Sequence, residues 1–317
     1  MSGLNIFTSN KLEILVEKLA QLIKAPGSSA LTAETIVIQS SGMARWISLE
    51  LARHNGICAN IRFPFPNTFL EEIAKQLLPD FQEPASFDPD RMTFKIMKAI
   101  PECIQLPGFE RLKAYLAEDN RHLKRLQLSI KLADIYDQYQ VFRPQMILQW
   151  EQGKQGADEV HPEDKWQAQL WRKLIQGEEY RHRARLQHDL IKKLNTEPAQ
   201  FTNLPERVFI FGISYLPLFH MKAFFALSQH LELNLFLLNP CGEYWGDIVS
   251  EKQMQRIKRK YPRPVDINAE LHLEEGNRLL ASMGTHGKDF FTVISDFDFE
   301  MNEIYQDPEC ADLLSCI

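Results

Sequence analysis

Side chains able to read nucleotide bases gather in one stretch of the chain. Gln127, Lys131, Asp134 and Gln138 recur at i, i+4, i+7 and i+11, the spacing of one helix face, with Asp137 alongside and Arg143 closing the segment before Pro144. Such groups have partners on base edges: Asp accepts from cytosine, Gln pairs with adenine and Arg with guanine. The stripe also fits a solvated helix face carrying a Lys131–Asp134 i,i+3 pair. Leu128, Leu132, Ile135, Tyr139 and Phe142 mark the face expected to be buried. Asp134 and Asp137 put two carboxylates on one side of the helix. No third carboxylate or Glu-x-Lys completes a nuclease-type site, so no metal is expected there.

Phosphate contact requires cations, and three basic clusters are candidates. They are Arg121-His122-Lys124-Arg125, Arg181-His182-Arg183-Arg185, and Arg256-Lys258-Arg259-Lys260 with Tyr261 and Arg263. Runs of this kind also serve simply as solvated faces. The turn Ser40-Ser41-Gly42 lies where a nucleotide-binding unit would hold phosphate, between a short apolar run and a helix. A working loop needs G-x-x-x-x-G-K-[ST]; here Met43-Ala44 stand where Lys-Ser/Thr should follow. The turn reads as a degenerate phosphate loop, and no cofactor is expected. Ala281–Asp289 fails the same pattern, with Ser282 for the first glycine and Asp289 for the final hydroxyl. Phe209–Ser214 lacks the Asp-Glu that would hold Mg²⁺ in a motor. The histidines match no H-E-x-x-H spacing, and the five cysteines form no C-x-x-C.

The elements that position these residues follow from hydrophobic period. Thr35–Ala52 opens on Ile36-Val37-Ile38, a buried parallel strand by type, and continues into a helix through Trp46/Leu49 and Ile47/Leu51. Ahead of it lie a strand at Leu4–Phe7 and a helix through Leu12, Leu15, Val16, Leu19, Leu22 and Ile23, with Asn10 and Glu13 as a capping box. Ile57–Ile61 predicts a third strand, Phe63–Asn67 a rigid extended segment, and Thr68–Leu78 a helix. From about Met92 to Leu194 only helical periods appear. Strands return at Arg207–Ser214 and Leu233–Leu238 around a helix at Leu218–His230, and Phe290–Ile294 predicts a last strand. The fold class is therefore α/β, a mostly parallel sheet with a large helical insertion. The divisions are 1–91, the first part of the α/β domain; 92–200, the insertion; and 201–317, its remainder. The acidic tail Glu300–Ile317 ends in apolar LLSCI and reads as an interrupted helix.

Composition bounds the function. The 317 residues carry net charge −6, with 44% hydrophobic and 25% charged residues, as globular chains do. Any nucleic-acid site must be a local patch. No run approaches the roughly 18 apolar residues of a membrane span, and the odd, unpatterned cysteine count suits a reducing cytoplasm.

The motifs VIQSSGMARWISLELA, GICANIRFPFPNTF, KLADIYDQYQVFRP, HRARL, RVFIFGIS, NPCGEYWGDI and NRLLASMG resemble the N-terminal part of the exodeoxyribonuclease V gamma chains, the RecC family of RecBCD helicase–nucleases. The resemblance implies a helicase-like fold of the P-loop type that has lost ATP binding. It implies a non-catalytic scaffold that channels DNA, both the duplex end and the single-stranded 3′ tail, between a RecB-like motor-nuclease and a RecD-like motor. Recognition of the recombination hotspot Chi, and so double-strand-break repair by homologous recombination, are implied as well. Carried over by motif, the strand-reading surface comprises Phe65, Glu71, Asp134, Ile135, Asp137, Gln138, Arg143 and Arg183. Glu71 departs from the family, which can carry a tryptophan there, and a carboxylate repels phosphate and cannot stack. The family chain is several times longer, so an N-terminal portion is expected. Two other readings stand beside this one: a protein–protein scaffold without DNA contacts, and an active motor drawing on Lys288.

Overall fold

Short apolar runs that alternate with helices build a parallel sheet covered on both faces. The structure is a computed structural model describing residues 3–25, 32–78, 87–119, 122–153, 165–177, 182–196, 201, 204–243, 245–260 and 277–306. Its strands are β1 (Gly3–Ser9), β2 (Glu34–Val37), β3 (Ile61–Arg62), β4 (Arg207–Phe211), β5 (Glu232–Leu238) and β6 (Glu300–Glu303). They stand in the order β3-β2-β4-β5-β1-β6, every pair parallel. The expected parallel α/β core is present. It belongs to a compact unit of Met1–Phe69, Gln200–Leu216 and Phe224–Ile317; a second unit comprises Leu70–Ala199 and Pro217–Ala223.

In the sheet unit, α1 (Leu12–Lys24) and α2 (Ser41–Asn55) bury Leu15, Val16, Leu19, Ile47 and Leu51 against one face. Alternation along the strands sends Phe7, Phe209, Phe211 and Phe236 to that face. Phe7 stacks on Phe236 with centroids 5.0 Å apart, and Phe211 lies 5.5 Å from Phe236. Ile6, Val208, Ile210 and Leu235 are equally buried on the other face. Arg207 ties the strands together, paired with Glu34 and donating to the carbonyls of Leu22 and Ala25 at 3.0 Å each.

Every element of the described chain between β3 and β4 is helical: α3 (Pro66–Leu77), α4 (Pro89–Cys103), α5 (Glu110–Leu116), α6 (Leu123–Phe142), α7 (Pro144–Glu151), α8 (Lys165–Ile175) and α9 (Arg183–Thr196). In the helical unit Tyr136 and Trp171, both fully buried, centre a cluster with Phe87, Ile96, Ile147 and Leu170. The Tyr136 hydroxyl donates to the Gln167 carbonyl at 2.8 Å. The remaining helices are α10 (Leu218–Ser228), α11 (Glu251–Lys260), α12 (Arg278–Met283) and α13 (Thr285–Ile294).

Several local expectations are corrected. Phe290–Ile294 lies in α13 and is no strand: Phe290 and Ile294, one turn apart, are both buried, so burial at helical spacing overrides the β-prone residues. The last strand is the polar Glu300–Glu303, recruited by pairing with β1. Asn10 does not cap α1; its amide exchanges hydrogen bonds with the Gln306 backbone at 2.8 and 3.2 Å. The strand expected at Ile57–Ile61 shrinks to Ile61–Arg62, because Gly56 and Asn60 take left-handed conformations and Ile57 is exposed. The helix expected from Thr68 begins at Pro66, where a missing N–H is tolerated. The closing LLSCI lies outside the described residues.

Candidate nucleic-acid interface

α6 carries the polar stripe, and the structure divides it. Gln127, Lys131 and Gln138 are exposed and Asp134 is half-exposed. The Asp134 carboxylate accepts from Lys131 Nζ at 3.0 Å and from Gln138 Nε2 at 3.3 Å. Those bonds, Lys131's first, hold the Asp134 carboxyl below its usual range. The buried face is rotated from the expected one. It comprises Ser129, Leu132, Ala133, Tyr136 and Gln140, whereas Phe142 is 59% exposed and Ile135 half-buried. Tyr136 and Gln140 are buried because α4 and α7–α9 surround that side, which helical period alone did not reveal.

Asp137 leaves the stripe and points toward α9. Its carboxylate accepts from Arg183 Nη1 at 2.8 Å. The same guanidinium lies 3.5 Å from Asp88 and 3.6 Å from Glu71. Carboxylates on α3 and α6 and one just ahead of α4 thus converge on one cation at the start of α9. Gln140 fixes that start, its Oε1 accepting from the Arg183 backbone N–H at 3.1 Å. Burial pushes the Asp137 carboxyl up, with Arg183 pulling the other way and Asp88 and Asp134 adding to the rise. Nearby His220 is pushed down to about 4, by burial first and by the charge of Arg183 second. Of the positions implied by resemblance, Glu71, Asp137 and Arg183 are brought into one network. Arg143 is exposed, its guanidinium carbon 5.8 Å from the Tyr139 ring centre. Phe65, 44% exposed, belongs to the sheet unit.

The basic clusters differ in how much charge they leave open. His182 is fully buried, its Nε2 2.6 Å from Glu151 Oε1, between the rings of Phe87 and Trp171. Arg185 pairs with Asp189 at 3.2 Å. With Arg183 engaged, the described part of this cluster serves internal pairing. Lys124 Nζ sits 5.6 Å from the Tyr115 ring centre, and Arg125 is half-buried; Arg121 lies outside the described residues. Arg256 and Arg259 are exposed on α11, the helix that also contains Lys258 and Lys260.

The Ser40–Gly42 turn is occupied by its own chain. Ser40 Oγ accepts from the Met43 N–H at 3.2 Å and so caps α2. Met43 packs on Gly212 just past β4, where a Cβ would meet its Cε at 2.7 Å and φ is +65°. At the carboxyl ends of β1, β5 and β6 lies a cavity of about 290 Å³, lined by Asn239, Trp245, Phe291 and Lys288 with Glu243 and Glu303. Among the described residues no three His, Cys, Asp or Glu side chains gather as metal ligands would. Asp88, Gln140 and His220 were missed from sequence, since no local pattern marks a partner that folding alone supplies.

A family model described as RecC, N-terminal domain, matches residues 4–317. The RecBCD enzyme subunit RecC of Escherichia coli K12 is 33% identical over 320 residues, covering 93% of this chain and 28% of that relative. The subunit of the same name from Haemophilus influenzae is 33% identical, covering 91% and 30%, and that of Mycolicibacterium smegmatis is 24% identical, covering 89% and 24%. The chain spans less than a third of the length of these relatives.

Proposed function

The chain belongs to the RecC N-terminal domain family, and from that premise we propose that it is a non-catalytic, DNA-binding and scaffolding part of a RecBCD-type helicase–nuclease. In this reading it guides the unwound 3′-ending strand, helps read the Chi hotspot, and works in the cytoplasm beside RecB-like and RecD-like motors. Residues 92–200 act as an insertion into a helicase-like domain whose Ser40–Gly42 turn is a relic of a phosphate loop. The observation that carries the reading is the pair of neighbouring sites on α6. Lys131, Asp134 and Gln138 offer donors and acceptors at the surface, while Asp137, locked to Arg183, holds α6 against α9. Base edges need such fixed polar groups, because base contacts specify whereas phosphate contacts position.

An active motor is disfavoured by the chemistry of both places a nucleotide would go. The Ser40 hydroxyl is spent on its own helix, and Met43 supplies no charge. The cavity bearing Lys288 also contains Glu243 and Glu303, a net negative lining that repels a triphosphate. Among the described residues no helix is long and apolar enough to cross a membrane.

The test compares hotspot response with bulk DNA affinity in the reconstituted complex. Asp134→Ala or Gln138→Ala should lose about 1–3 kcal/mol of hotspot discrimination while unwinding and general affinity persist. Joint neutralisation of Arg256, Lys258 and Arg259 should instead weaken binding to every sequence and flatten its salt dependence. Wild-type behaviour of the α6 variants on both measures would return the stripe to a solvated helix face.

A further inference from the structure

α4 turns a second kind of surface outward. Met92, Thr93, Ile96, Ile100 and Cys103 are buried. On the opposite side Arg91, Phe94 and Lys98 recur at i, i+3 and i+7, all exposed. Phe94 is 67% exposed, a full aromatic ring offered to solvent. Neither Arg91 nor Lys98 has an ion-pair partner among the described residues. Of the other charged groups on this side, Lys95 Nζ lies 4.7 Å from the Phe87 ring centre and Glu102 pairs with Lys173 at 3.1 Å, while Asp90, one turn before Phe94, is exposed. In a chain of net charge −6, Arg91, Lys95 and Lys98 outnumber Asp90 around this ring, so the strip is locally positive. Arg91 and Lys98 stand about 10 Å apart along the helix axis.

We propose that this face of α4 binds single-stranded DNA, with Phe94 stacking on a base and Arg91 and Lys98 holding flanking phosphates. The inference rests on the DNA-handling reading above but names a site separate from the α6 stripe. A single strand fits better than a duplex, because only unpaired bases offer their faces to a ring. It also fits better than an acidic protein segment, which has charge but no flat π-face to meet Phe94. Recognition of this kind is indifferent to sequence, since every base stacks.

The test uses the full-length chain assembled in its complex, with fluorescein-labelled oligothymidine as probe and anisotropy measured across a salt series. Phe94→Ala should lower affinity about 5- to 150-fold and leave the salt slope unchanged. Arg91→Gln with Lys98→Gln should reduce the slope by about 1.4, two lost contacts on a single strand. Phe94→Tyr, which keeps the ring, should retain wild-type affinity. Hotspot discrimination should persist in all of them, unlike in the Asp134 and Gln138 variants. Wild-type affinity and slope in the alanine and glutamine variants would overturn the proposal. So would a Phe94→Tyr loss as large as that of Phe94→Ala, or failure of the variants to assemble, which would mark the face as a protein interface. Failure of the wild-type complex to bind the probe would defeat the DNA-handling reading as well.

Discussion

Replacing Arg183 by Met removes the one cation on which Glu71, Asp88 and Asp137 converge, while keeping most of its apolar stem. Removing one partner of a fully buried ion pair costs about 3–5 kcal/mol, and an exposed pair contributes about 0–1 kcal/mol. The side chains of Arg183 and Asp137 are 22% and 28% exposed, those of Glu71 and Asp88 34% and 48%. The cost should therefore lie between those limits, about 2 kcal/mol, most of it from Asp137 left without a counter-charge. Asp134→Ala breaks an exposed contact with Lys131 and should cost under about 0.5 kcal/mol. Urea denaturation of the chain at pH 7 separates the two. The Arg183→Met deficit should also shrink on acidification. Asp137 is raised above 3.8 in the fold, so the stability it contributes is fully present below 3.8 and is lost as pH rises through the folded value. Without Arg183 that value rises further, and protonation relieves the exposed cost at a higher pH. Adding Asp137→Asn to Arg183→Met should recover part of the loss, a coupling of about 1 kcal/mol. An Arg183→Met cost below about 0.5 kcal/mol at pH 7, or one unchanged at pH 4.5, would refute the account of this network.

His220 supplies a second pH signature. Its pKa falls from 6.5 to about 4, so the stability present above pH 6.5 is lost as pH falls toward 4. The full window is worth about 3 kcal/mol, and His220→Asn should flatten the pH–stability curve there relative to wild type. Tyr136→Phe strips the buried hydroxyl from the Gln167 carbonyl and should lower stability by about 1–2 kcal/mol in the same denaturation assay. Met43→Lys, which restores the missing charge to the Ser40–Gly42 turn, should bring no ATP hydrolysis in the presence of single-stranded DNA. Its packing on Gly212 should weaken by about 1 kcal/mol, and turnover above the wild-type level would show that the turn is a phosphate site lacking only its lysine.

What the sequence determined by itself is local. β2 and α2 are legible because an apolar strand and a helical period act within a few residues, whereas the Ser40 cap came only with the fold. β4 and β5 announce themselves as continuous apolar runs for the same reason, and the absence of a Lys after Gly42 is plain in the letters. Tertiary structure decided the rest. Asp137 and Arg183 stand 46 positions apart, and no spacing rule says which of many carboxylates a guanidinium will meet. The buried side of α6 follows from the helices packed around it, so Tyr136 went inward and Phe142 stayed out. Phe290–Ile294 is rich in β-prone residue types, yet burial of Phe290 and Ile294 one turn apart made it a helix. The polar Glu300–Glu303 became a strand because the open edge of β1 supplied backbone partners that its own side chains never advertised.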